Sequence, residues 1–112
     1  MKHEKFKLLH TVEGGEIEGD PEIQDFLNSG ITPKSVSINH GLVTDTVIIG
    51  YTEESTEHNY QLLYRKVQME STVTTEEVEK ALEDEAASVG GIICQDVTVE
   101  DYGLSIVFLT TL

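Results

Sequence analysis

Four histidines, one cysteine and a loop dense in carboxylates are the residues whose chemistry goes beyond packing and solvation. His3, His10, His40 and His58 lack the H-x-x-x-H spacing that would set two imidazoles on one helix face for a zinc ion. His10 precedes the acidic segment 13–18 and is the candidate acid-base or ligand-contacting residue, because an imidazole titrates near neutrality and nearby carboxylates tune it. The plainer reading is a hydrogen-bonded surface histidine. EGGEIEGD, residues 13–20, sets four carboxylates among flexible glycines, and calcium takes about six to eight oxygens from such loops. The EF-hand spacing is absent, so a solvated loop competes with a cation site. Gly14-Gly15 and Gly90-Gly91 lack the following lysine of a phosphate loop. Cys94 lies in GIICQDV, where Gln95 and Asp96 offer no positive charge to activate a thiol; as the only cysteine it forms no internal disulfide and is expected in a core. No catalytic residue, metal-ligand set or cofactor motif is assigned. A small-ligand binder or enzyme using His10 and the 13–20 loop is carried as the third reading of function.

Charge narrows the partners. The chain of 112 residues has 21 acidic residues against 7 Lys plus Arg, a formal net charge of −14. Such a chain repels nucleic acid and anionic membrane surfaces unless its cations cluster, and Lys2, Lys5, Lys7, Arg65 and Lys66 do so poorly. The excess reads either as solubility or as a surface that imitates nucleic-acid phosphates toward a basic protein. With no apolar run of membrane-spanning length and no h-region in MKHEKFKLLH, a cytoplasmic protein is expected.

The elements that position these residues centre on TTEEVEKALEDEAASVG, residues 74–90. Thr74 and Glu77 form a capping box, and Val78, Ala81, Leu82, Ala86 and Val89 share one helical stripe. Glu76, Glu77, Glu79, Glu83, Asp84 and Glu85 lie opposite, and Gly90 is predicted to end the helix in the left-handed conformation. Residues 1–4 are predicted frayed. A strand follows, with Phe6, Leu8 and Val12 on one face, His10 between them, and Lys5, Lys7 and Thr11 on the other; Leu9 breaks the polar side. Asp20-Pro21 opens a second, short helix carrying Ile23, Phe26 and Leu27 and stopped by Gly30. Its stability must come from docking, with Phe26→Ala costing about 3–5 kcal/mol if the ring is buried. Val36 and Ile38 begin a hairpin that turns at Asn39-His40-Gly41 or at Thr44-Asp45 and returns through Val47-Ile48-Ile49. After the polar loop TEESTEHN, Tyr60, Leu62 and Tyr64 mark another strand. GIICQDVTV and LSIVFLTTL form a last hairpin turning at residues 100–103, its Ile106–Leu109 run apolar on both faces and so central or covered by another chain.

The same strand-helix-strand-strand order fills residues 5–52 and 59–112, so one domain of two pseudo-repeats is predicted. Leu8-Leu9 answer Leu62-Leu63, Ile23 and Leu27 answer Val78 and Leu82, and Val47–Ile49 answer Ile106–Phe108. One three-stranded unit buries too little to stand alone, so each half is expected to complete the other's core. FKLL, EIQDFLNSG, KSVSINHG and VIIGYT resemble the small βαββ Firmicutes sporulation-protein family; the shared motifs are structural, and the resemblance carries over no catalytic residue. Dodecins share the βαββ order, but this chain has no Trp to stack a flavin.

The predicted fold is α+β: two tandem βαββ units, mainly antiparallel six-stranded sheet(s), with two helices packed on one side. The expected function is that of a small non-enzymatic binding or assembly protein, without cofactor, engaging a protein partner or itself, with Tyr60, Tyr64, Glu76, Glu79 and Glu83 as the candidate partner surface. The runner-up is an acidic, nucleic-acid-mimicking inhibitor of the kind found in mobile elements.

Overall fold

The computed structural model describes residues 4–54, 58–69, 74–100 and 102–112. Residues 1–3, and with them His3 and most of the predicted frayed start, lie outside the described residues, as do parts of the TEESTEHN loop and of the 100–103 turn. The chain runs β1 (Lys5–His10), α1 (Pro21–Leu27), β2 (Thr32–His40), β3 (Asp45–Thr52), β4 (Tyr60–Gln68), α2 (Thr75–Ala87), β5 (Ile92–Glu100) and β6 (Gly103–Thr111). The fold is α+β, with two antiparallel three-stranded sheets: sheet A, ordered β1-β3-β2, and sheet B, ordered β4-β6-β5. In each sheet the last strand of the three is central, because the helical connection carries the chain across it. Each middle-pairing strand also holds a register shift at a corresponding place, between Pro33 and Ser35 in β2 and between Ile92 and Cys94 in β5.

The sheets stack rather than join. Leu9, Val36, Val47 and Ile49 of sheet A meet Tyr60, Leu62, Val107 and Leu109 of sheet B in one core, with Ile23 and Leu27 of α1 wedged among them. Along one side β2 runs beside β5, where the Ile38 amide donates to Asp96 Oδ2 at 2.8 Å. The opposite face of sheet B, through Leu104, Ile106 and Phe108, carries the half-buried stripe of α2: Val78, Ala81, Leu82, Ala86 and Val89. The run 106–109 is therefore covered on both faces, by the other sheet and by a helix, and is central. At roughly 1.5–3 kcal/mol per fully buried aliphatic or aromatic side chain, β6 is the main anchor of the fold.

Several expectations are corrected. The helices do not lie together on one side of one sheet: α1 sits between the sheets and α2 outside sheet B. Gly91, at φ +72°, and not Gly90, takes the left-handed conformation after α2, which ends at Ala87 with Ser88 as cap. The hairpin turn spans both proposed places, with the Gly41 amide donating to the Thr44 carbonyl at 3.1 Å. Most consequentially, β1 buries its other face: Leu9 and Thr11 enter the core, while Phe6, Leu8 and Val12 are exposed. Among the described residues, no helix is long and apolar enough to cross a membrane.

Candidate functional site

Strand alternation and register build the outer face of sheet A. Phe6 lies opposite Gly50, Leu8 opposite Ile48 and His10 opposite Thr46, while Ser35, Ser37 and Asn39 continue the same face across β2. Phe6 is 68% and Leu8 54% exposed, with Ile48 half-buried beside them. The His10 Nδ1 lies 3.0 Å from Thr46 Oγ1, so the imidazole is held across the strand pair. Glu4, at the rim, accepts a hydrogen bond from Ser35 Oγ at 3.2 Å over Gly50. A Cβ on Gly50 would collide with both partners, which is why this position has no side chain. None of the outward positions on the three strands carries a carboxylate. In a chain this acidic, a face with Phe6 and Leu8 along its β1 edge, uncharged polar residues across β2 and the single carboxylate of Glu4 at its rim is poorly solvated.

A second feature is a cleft of about 370 Å³ lined by Gly15, Glu16, Ile17, Glu18, Asp45 and Tyr64. The 11–20 segment reaches it because Thr11 pairs with Asp45 and Ile17 is driven into the inter-sheet core. Two of its carboxylates serve structure. Glu18 Oε1 accepts from the Tyr64 amide at 2.7 Å and from Arg65 Nη1 at 3.0 Å, tying the loop to β4. Asp20 Oδ1 accepts from the Glu22 and Ile23 amides at 3.1 Å each and starts α1. His40 Nδ1 is 3.1 Å from Asp45 Oδ1, and its ring meets Tyr64 edge-on. The Tyr64 hydroxyl donates to Ser105 Oγ, which donates in turn to Glu100 Oε1. His10 belongs to the outer face of sheet A instead, so it and the 13–20 loop are not brought into one site. Among the described residues no three metal-type ligands converge.

The five predicted partner-surface residues fall in different places. Tyr60 is 4% exposed in the inter-sheet core, and Tyr64 is half-buried at the cleft on the same face of β4. Glu76, Glu79 and Glu83 are exposed on α2, across sheet B from both tyrosines. Cys94 is half-buried at the edge of the core, and burial pushes its thiol up to about 11. The outer face of sheet A went unread because Phe6 and Leu8 look like core residues in sequence; the signal was Leu9, an apolar residue on the supposedly wet side of a strand. No protein-family model matches the chain, and neither a curated protein nor a solved structure matches it.

Proposed function

We propose that this is a small non-enzymatic binding and assembly protein of the cytoplasm, built of two tandem βαββ units, that engages a protein through the outer face of sheet A. Kinship with the small βαββ sporulation proteins is part of that proposal. The exposure of Phe6 and Leu8 on a face whose strand positions carry no carboxylate, with Glu4 alone at its rim, is the observation that carries it. Monomeric proteins seldom leave neighbouring large apolar side chains uncovered without a partner. The tandem reading is supported by the common strand order and by the bulges, which align Gly50 with Leu109 and hence Val47–Ile49 with Ile106–Phe108. Tagged wild-type protein and Leu8→Glu are compared as bait for proteins of the native host and for untagged chain. The reading requires that association be lost in the variant, and equal association by both would contradict it.

One feature favours a second reading, a mimic of nucleic acid. Glu76, Glu79 and Glu83 stand exposed along α2, rising by about 4.5 and then 6 Å, somewhat coarser than the roughly 3.4 Å per phosphate of one DNA strand. Binding of a basic protein through this row would weaken steeply with salt and with Glu79→Lys; binding indifferent to both removes it.

A further inference from the structure

We infer that the occupant of the outer face of sheet A is a second copy of this chain, paired face to face about a two-fold axis. The inference rests on the binding role proposed for that face and names its partner.

The molecule already shows how such a face is covered. Aligned through the bulges and the central strands, Phe6 opposite Gly50 corresponds to Leu62 opposite Leu109, and Leu8 opposite Ile48 to Tyr64 opposite Val107, so Leu8 answers Tyr64 and not Leu62 as the sequence suggests. In sheet B these positions are covered by sheet A and α1, leaving Leu62 4% and Val107 1% exposed and Tyr64 half-buried at the cleft. In sheet A they are open. The open face is thus the counterpart of the face of sheet B on which sheet A and α1 close.

A head-to-tail stack would repeat that contact and grow without end, but the receiving surface has no free copy. Sheet B can settle on the helix side of sheet A because α1 has only 7 residues and shares that side with it. On sheet B, α2 has 13 residues, covers the corresponding side and turns glutamates outward. The outer face of sheet A is left with itself as its complement, which is an isologous contact.

Charge selects the same occupant. Two chains of net charge −14 repel at most orientations, and they approach at lower cost where carboxylates are few, as on this face, where Glu4 at the rim is bonded to Ser35. A basic partner would find a single carboxylate, Glu4, to pair with on this face. Size sets the strength: about three strands at 4.8 Å and six residues at 3.4 Å give roughly 300 Å² in projection, against about 800 Å² buried per partner in a standard interface. The pair is therefore reversible and favoured by salt, which screens the repulsion.

The test is sedimentation of the full chain from about 5 to 500 µM at low and at physiological salt. Leu8→Glu and Ser37→Glu each place a charge at an exposed position of the face, and Asp25→Asn, on α1, is the control; circular dichroism verifies folding. The expected result is a concentration-dependent dimer, weakened at least about ten-fold by either face variant and unchanged in the control. A monomer at every concentration, or a dimer insensitive to both face variants, overturns the inference. If the monomer still captures a different protein in a Leu8-dependent way, self-pairing fails while the binding role stands; if it captures none, both fail.

Discussion

Leu27 and Phe26 are neighbours on α1 and differ in what they hold. Leu27 is fully buried in the inter-sheet core, whereas Phe26 lies edge-on to Tyr51, ring centroids 5.0 Å apart, and is only partly buried. Leu27→Ala should therefore cost about 2–5 kcal/mol and Phe26→Ala about 1–3 kcal/mol, in urea unfolding, reversing the weight that the sequence places on the aromatic residue. Cys94 gives a test of burial by chemistry. With its ionisation moved from 9.0 to about 11, the thiolate fraction at pH 8 falls roughly 100-fold, partly offset by the greater nucleophilicity of a more basic thiolate. Disulfide exchange with a small aromatic disulfide should be roughly ten-fold slower in the folded chain than in urea. As pH rises through 9 the unfolded thiol ionises first, so its contribution to stability is present below that pH and is lost by about 11; Cys94→Ala should remove that part of the alkaline sensitivity.

At the scale of elements, the two helices depend differently on their caps. Asp20 is buried and accepts two amides at the start of a 7-residue helix, while the Thr74 hydroxyl accepts one, from Glu77, at the start of a 13-residue helix. Asp20→Ala should cost more than Thr74→Ala, with both within about 0.5–2 kcal/mol, measured by thermal unfolding. Gly103 opens β6, where a Cβ would strike the Val67 carbonyl, so Gly103→Ala should strain the β4-β6 ladder and cost about 1–3 kcal/mol. Element types were legible wherever capping, periodicity or β-branched runs agreed, as in α2 and the 45–52 strand. The face that each strand buries was not. Alternation of Lys5, Phe6, Lys7 and Leu8 fits either side equally, and the choice is made by Leu9 and Thr11, which reach the core, and by α1, which arrives only through the fold. The end of α2 was misplaced for a similar reason: adjacent glycines at 90 and 91 are equivalent in sequence, and the approach to Thr111 selects the second.

At the scale of the whole molecule, the two halves are stacked so that each sheet uses a different face against the other. That asymmetry follows from helix length, since a short α1 leaves room for a sheet and a long α2 does not. The acidic net charge was legible from composition, but which surface is left uncovered depends on the order of stacking, which no local pattern encodes. The working surface proposed for the protein is the outer face of β1, β2 and β3. Amide chemical shifts recorded over a dilution series, or on adding whatever partner is captured, test it residue by residue. The account requires concentration- or partner-dependent shifts at Phe6, Leu8, Ser37 and Ile48 with α2 unmoved; shifts confined to Glu76, Glu79 and Glu83, or none at the sheet face, would contradict it.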